Sequence, residues 1–279
     1  MSFFDFIKPV STWSPEKVQE FLRNNHPDSL TLLDVRQDAE YRSEHLPGAV
    51  HIPLAELEDR LDELDPGRPT VVYCTAGVRS RAAATVLARA GFTEVRHLAG
   101  GIDAWRGQRA EGLPEADLAR FASYDKPEEH AALAWYLEEG TRTFYAAMAE
   151  MVRDAAITAL FEDLTVAEEH HKATLVAVYE GLTGRTAPAD FPHPVLAESA
   201  VEGFMEGGMK CEEAIEWART RPVNAILELA MAVETNALDR YLHLHRNLPD
   251  ENSRRVFEVL ADEERRHLQR LAATLDHFV

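Results

Sequence analysis

The sequence predicts an α/β domain built on a parallel sheet, followed by an all-α four-helix bundle, on three observations. Continuous β-branched runs alternate with helical patterns over about the first 120 residues. The strand signal stops after Glu111-Gly112-Leu113-Pro114, and the remainder repeats itself at a spacing of 96 residues. A chain of 279 residues suffices for two domains of ordinary size, each with its own core.

Ser14-Pro15-Glu16 opens the first helix with an N-cap, a proline at the first helical position and an early acid. Leu30–Val35 and Thr70–Cys74 are uninterrupted runs typical of strands buried on both faces. Ser80 to Ala90 is Ala-rich and stops at Gly91, a natural residue just past a helix end. Strand, helix, strand, helix in that order implies a parallel sheet. From about Pro127 the pattern becomes long amphipathic helices, interrupted only between Gly181 and Gly208.

The formal net charge is −19, from 48 acidic and 29 basic residues. Such a surface repels phosphate backbones, and no Lys/Arg run with interleaved aromatics compensates, which excludes nucleic acid as a partner. No stretch of eighteen apolar residues exists, and MSFFDFIKPV lacks the grammar of a signal peptide, so neither a membrane nor secretion is expected. Cys74 and Cys211 are too few for a disulfide framework, and a reducing cytoplasm is the expected location. The acidity is lopsided: 14 basic and 19 acidic residues through Arg120 leave −5, and the 15 and 29 beyond it leave −14.

In the first half, Cys74 ends a strand and is followed by Thr75-Ala76-Gly77-Val78-Arg79-Ser80, a short loop that opens a helix. A lone strand cysteine is ordinarily a small buried hydrophobe. Here loop amides, the positive end of a helix and the fixed charge of Arg79 favour a thiolate and an anion beside it, while Gly77 lets the backbone turn around the sulfur. Cys74 to Arg79 is Cys-x4-Arg, one residue tighter than the Cys-x5-Arg loop that wraps a phosphate.

The stretch Leu32 to Trp105 resembles a rhodanese domain. The resemblance is carried by Leu33-Asp34-Val35-Arg36, Glu40-Tyr41, His45-Leu46-Pro47-Gly48-Ala49-Val50-His51-Ile52-Pro53, the Cys74–Ser80 loop and Gly100-Gly101-Ile102-Asp103-Ala104-Trp105. It implies a sulfurtransferase domain over residues 1–115 with Cys74 as nucleophile. Arg79 would orient a small anionic sulfur donor, the Thr75, Ala76, Gly77, Val78 and Ser80 loop would bind it, and a thiol would accept the sulfur. Asp34 and Arg36 read as an ion pair supporting the loop, and His45 as packing beneath it.

In the second half the informative spacing is Glu-x-x-His, which puts two ligands on one helix face. With 31 Glu and 12 His, chance predicts about one occurrence, yet there are three: Glu94/His97, Glu168/His171 and Glu264/His267. The first falls on an expected strand, where i and i+3 point to opposite faces, and is a decoy. The other two belong to a duplication. From Glu138, Tyr145, Glu168 and His171 follow at +7, +30 and +33; from Glu234, the same offsets reach Tyr241, Glu264 and His267. The same 96-residue shift superposes Asp154 on Asp250, Phe161 on Phe257, Glu162 on Glu258, Leu164 on Leu260 and Leu175 on Leu271.

Each unit reads as two helices joined by a turn, near Arg153-Asp154 and Leu248-Pro249-Asp250. Four helices then offer Glu138, Glu168, Glu234, Glu264, His171 and His267 to one interior, the ligand set of a di-iron or di-manganese site. Two divalent ions would neutralise carboxylates that a bundle core cannot otherwise keep ionised. Tyr145 and Tyr241 either hydrogen-bond a ligand carboxylate or merely pack. His170, Glu169, His243, His245, Glu139 and Glu263 read as surface residues, and Cys211 as an inert thiol away from any helix start.

Residues 127–276 resemble the rubrerythrin branch of the ferritin-like superfamily, including Met205-Glu206-Gly207-Gly208 in the crossover. The resemblance implies a ferritin-like domain over residues 125–279. It also implies two iron ions, with manganese or zinc as alternatives, oxygen or peroxide chemistry, and a homodimer through the helices. Two departures are visible: Ala237 stands where the family places a second Glu three residues after Glu234, and two distant cysteines cannot supply paired CxxC motifs. The expected function is sulfur transfer through a Cys74 persulfide, coupled to the di-iron domain in sulfur redox or oxidative-stress chemistry. The alternatives are a di-iron peroxidase or oxidase with an external donor, and a carrier of iron or sulfane sulfur.

Overall fold

The β-branched runs become adjacent strands because only pairing on both edges satisfies a backbone buried on both faces. A computed structural model describes residues 11–105, 107, 109–110, 126–193, 195–196, 203–248 and 250–277. The chain divides into two compact units, Met1–Glu111 and Gly112–Val279. The inferred break at 111–114 and the domain edges at 115 and 125 lie outside the described residues.

The first unit runs β1 (Ser11–Trp13), α1 (Pro15–Asn24), β2 (Thr31–Asp34), α2 (Asp38–Ser43), β3 (Val50–His51), β4 (Thr70–Tyr73), α3 (Val78–Arg89) and β5 (Val95–Leu98). Its five strands are all parallel, in the order β1-β5-β4-β2-β3. Every residue of β2 and β4 is buried, and Leu33 pairs with Val72 across the sheet. Burying either side chain contributes about 1.5–3 kcal/mol. The Ser14 hydroxyl accepts from Lys17 N as the expected cap of α1. The next long helix, α3, starts at Val78, two residues earlier than its alanines suggest, because Gly77 takes the left-handed N-cap conformation at φ +97°.

In the second unit four long helices, α4 (Pro127–Met151), α5 (Ala155–Thr183), α7 (Val223–Asn247) and α8 (Glu251–Leu275), carry the repeat. Helix α4 packs along α5, α7 along α8, and α5 against α8. The duplicated acids at the two turns are both N-caps: Asp154 accepts from Ala156 N and Ile157 N, Asp250 from Asn252 N and Ser253 N. Of the second turn, Pro249 lies outside the described residues. The duplicated Phe161/Phe257, Leu164/Leu260 and Leu175/Leu271 are all core residues.

The crossover contains a two-stranded hairpin, β6 (Phe204–Met205) with β7 (Met209–Lys210), and a short helix α6 (Cys211–Ala218). Glu206, in the hairpin turn, meets Arg240 of α7 at 2.6 Å in a fully buried ion pair. Among the described residues no helix is long and apolar enough to cross a membrane.

Candidate functional sites

Cys74 leaves the C-terminal end of β4 and is buried. Its Sγ accepts from the amides of Gly77 at 3.1 Å and Ser80 at 3.4 Å, and its thiol points to Ser80 Oγ at 3.7 Å. The Ser80 hydroxyl in turn donates to Gly77 O at 3.1 Å, closing the loop on itself. From beneath, Ile102 N and Asp103 N hold the carbonyls of Cys74 and Thr75. That approach passes over Gly101, where a Cβ would lie 2.2 Å from Cys74 O. The loop is therefore braced by the Gly100-Gly101 segment, a role the sequence motif alone does not reveal.

Ala76 and Val78 face solvent on the loop, Val78 being 80% exposed. Arg79 sits at the rim in a fork with Glu40, donating to its two oxygens at 2.6 and 2.7 Å and to Thr75 Oγ1 at 2.8 Å. The Thr75 hydroxyl donates to Glu40 as well, at 2.6 Å. The hydrogen bonds from Arg79 hold the Glu40 carboxyl far below its usual range, against the opposing effect of its partial burial. An anionic donor thus meets a guanidinium already paired. Asp34 and Arg36 form a buried pair at 2.7 Å, and Arg36 also donates to Glu44 O, so it ties β2 to the end of α2. His45 stacks on Tyr41 at 3.9 Å. His97, on β5, bonds Thr12 Oγ1 at 2.8 Å as a core histidine and belongs to none of the groups among the described residues that could hold a metal ion.

In the helical unit the six residues picked out by the repeat converge. Glu138, Glu168, His171 and Glu264 form one group, and Glu168, Glu234 and His267 another, with one ligand atom of each residue within 4.8 Å of the rest of its group. Glu168 belongs to both. His171 Nδ1 lies 3.0 Å from Glu168 and 3.2 Å from Glu264; His267 Nδ1 lies 3.1 Å from Glu234 and 3.2 Å from Glu264. All four carboxylates are about 1% exposed.

The two tyrosines cross between repeats. Tyr145 Oη donates to Glu234 Oε1 at 2.5 Å, and Tyr241 Oη donates to Glu138 Oε1. They hydrogen-bond the carboxylates as well as pack, and each serves the glutamate of the other repeat.

Burial and the adjoining Glu138 push Glu168 well above the usual carboxylate range, and burial and Glu234 do the same to Glu264. Burial would also raise Glu138 and Glu234, but hydrogen bonds from Glu168 and His171 hold Glu138 down. The His267 charge and its hydrogen bonds bring Glu234 to about 2. Burial alone would lower His171, yet Glu264 and Glu168 carry it well above its ordinary value. Glu168 Oε2, Glu264 Oε1 and His171 Nδ1 are buried and close to one another, yet none of the three makes a well-aligned hydrogen bond. Orphaned oxygen and nitrogen donors converging in a dry core fit divalent iron or manganese.

Three neighbours differ from the surface reading. Glu263 reaches across from α8 to His171 Nε2 at 3.0 Å. Glu139 is partly buried and binds Lys172 Nζ at 2.5 Å. His245 is buried and donates from Nδ1 to Arg254 O at 2.8 Å. Each contact runs between helices, which a pattern along one helix does not register. Cys211 also differs: it is the first residue of α6, at a helix start, but burial pushes its thiol up to about 11.

The Rhodanese-like domain family matches residues 14–108, and the Rubrerythrin family matches residues 225–278. The putative sulfur carrier protein YrkF of Bacillus subtilis is 41% identical over 81 residues, 29% of this chain and 44% of that protein. An HTH-type transcriptional regulator of Mycobacterium tuberculosis is 43% identical over 96 residues, 34% of this chain and 41% of that one. The chain thus spans less than half the length of either. Thiosulfate sulfurtransferase GlpE of Coxiella burnetii is 35% identical over 77 residues, 28% of this chain and 72% of that protein. A crystal structure of a rhodanese-related protein from Thermoplasma volcanium is 26% identical, covering 34% of this chain and 89% of that chain at a TM-score of 0.31. With Cys74 in its amide loop and the buried carboxylates both in place, the chain belongs to the rhodanese-like family through its first unit and carries a rubrerythrin domain in its second.

Proposed function

We propose that the first unit is a sulfurtransferase whose nucleophile is Cys74, taking a sulfane sulfur from thiosulfate or a persulfide and passing it to a thiol or cyanide. The observation that carries this reading is the pair of amide donors on Cys74 Sγ, from Gly77 and Ser80. The thiolate attacks the outer sulfur of thiosulfate; the S–S bond breaks and sulfite leaves with the electron pair. The amides that held the thiolate then hold the negative terminal sulfur of the Cys74 persulfide. An acceptor thiolate attacks that sulfur and Cys74 leaves as thiolate. Arg79, with Thr75, orients the donor at the rim once the donor competes with Glu40 for the guanidinium. Cys74→Ser should abolish thiosulfate-to-cyanide transfer, measured as thiocyanate; undiminished turnover would end the assignment.

The second unit, in this reading, holds two iron ions between Glu138, Glu168, His171, Glu234, Glu264 and His267, and the two units act together in cytoplasmic sulfur redox or oxidative-stress chemistry. Bound iron would supply one-electron redox chemistry toward oxygen or peroxide. Tyr145, whose phenol burial and Glu234 push well above its ordinary value, keeps its proton and orients Glu234, Tyr241 orients Glu138, and Phe161 and Phe257 help keep the site dry. The near-complete burial of the cluster, open only to small oxidants such as peroxide, supports a second reading, a di-iron peroxidase or oxidase served by an external donor. Rapid reoxidation by peroxide with turnover supports that reading, and stoichiometric loading without turnover supports a carrier. A homodimer through the helical unit belongs to the same proposal, and sedimentation of the full chain tests it.

A further inference from the structure

The two halves of the carboxylate cluster are duplicates in sequence but not in support. His171 presents Nδ1 to Glu168 and Glu264 and its opposite nitrogen, Nε2, to Glu263 Oε2 at 3.0 Å. A carboxylate at Nε2 keeps a proton there when a metal ion displaces the one on Nδ1, and it locks the ring plane, so the imidazole is oriented as a ligand. Glu263 is itself steadied by Arg266 at 3.4 Å.

The residue 96 positions before Glu263 is Ala167, which has no group to offer. His267 accordingly makes hydrogen bonds only through Nδ1, to Glu234 and Glu264; its Nε2 has no hydrogen bond among the described residues. Its side chain is 9% exposed, where that of His171 is fully buried. Those two bonds hold a proton on Nδ1, the nitrogen a metal ion would need, and nothing among the described residues draws it to Nε2, so only a fraction of the population is ready to ligate, and affinity falls by that fraction.

We propose that Glu263 is the positioning residue of the Glu138/His171 half of the cluster, so that this half takes a divalent ion first and holds it more tightly than the Glu234/His267 half. The inference rests on the two-metal reading above. Outer partners of this kind are worth about 10–100-fold in metal affinity, and the gap between the two sites should be of that order.

The test uses the full chain stripped of metal and titrated with Co(II), followed by calorimetry and by the visible ligand-field bands of the bound ion. The native protein should bind two ions in separate steps. Glu263→Ala should weaken the first step by about 10–100-fold and merge the two. Glu263→Gln, whose amide oxygen still accepts from Nε2–H, should restore part of the gap. Ala167→Glu should tighten the second step, and as a gain it does not depend on Glu263→Ala folding. Glu162→Gln, the same charge change on the exposed face of α5, should leave both steps alone. Two equal steps in the native protein, or Glu263→Ala and Ala167→Glu variants titrating like it, would overturn the proposal and leave the two-metal reading standing. A native protein that binds no Co(II) would overturn both.

Discussion

Gly101 carries a tighter steric constraint than Gly77, although both have positive φ. At Gly77, φ +97°, the nearest atom to an added Cβ is 3.7 Å away, so Gly77→Ala meets mainly backbone strain, roughly 1–2 kcal/mol. At Gly101, φ +63°, the Cβ would meet Cys74 O at 2.2 Å and Thr75 O at 2.3 Å, carbonyls already held by Ile102 N and Asp103 N. Gly101→Ala must therefore displace the loop that carries the nucleophile. Sulfur transfer should fall by more than tenfold in Gly101→Ala, a loss above about 1.4 kcal/mol, and by less in Gly77→Ala; thiocyanate kinetics on both variants decides it. Cys74 and its loop were legible because seven consecutive residues, Cys74 to Ser80, contain them. The Arg79 partner, Glu40, and the brace under the loop were not, since they arrive from 39 and 27 residues away through the sheet.

At the scale of elements, the repeat made the bundle readable: the 96-residue offset placed ligands, core and turns without any contact information. Its strongest physical support is that Asp154 and Asp250 each accept two amides at the start of α5 and α8. Equivalent caps should have equivalent value. Asp154→Ala and Asp250→Ala should each destabilise the helical unit by about 1 kcal/mol, read as similar drops in its thermal midpoint; a cost at one position only would break the equivalence. What the repeat could not reveal lies where the copies diverge. Glu263 has no counterpart, and its contact runs from α8 to α5, so neither the offset nor a single helix face signals it. The start of α6 at Cys211 was likewise hidden, because its cap is the backbone of a hairpin the sequence does not announce.

For the molecule as a whole, the −14 carried by the second half includes four carboxylates that are not solvated, and this links stability, pH and metal. In the metal-free protein Glu168 and Glu264 keep protons well above the ordinary 4.5, and His171 keeps its own well above 6.5. The folded state then binds more protons than the unfolded chain over the neutral range, so these groups stabilise at low pH and lose that contribution as pH rises through their folded values. Glu138 and Glu234 have the opposite sign, but their contribution is lost only as pH falls below the ordinary carboxylate range, toward about 2 for Glu234. Between pH 6 and 8.5 the metal-free helical unit should therefore melt at progressively lower temperature. Divalent ions need the same ligands deprotonated, so their uptake should release protons, tighten with pH and reverse the trend. Scanning calorimetry of the full chain with and without Fe(II), kept anaerobic, separates the outcomes: the metal should raise the helical transition most at the alkaline end and leave the α/β transition unmoved. A helical transition indifferent to metal across that range would remove these six residues as a metal centre, and one that rises with pH in the metal-free protein would show that the protons are not held where the geometry puts them.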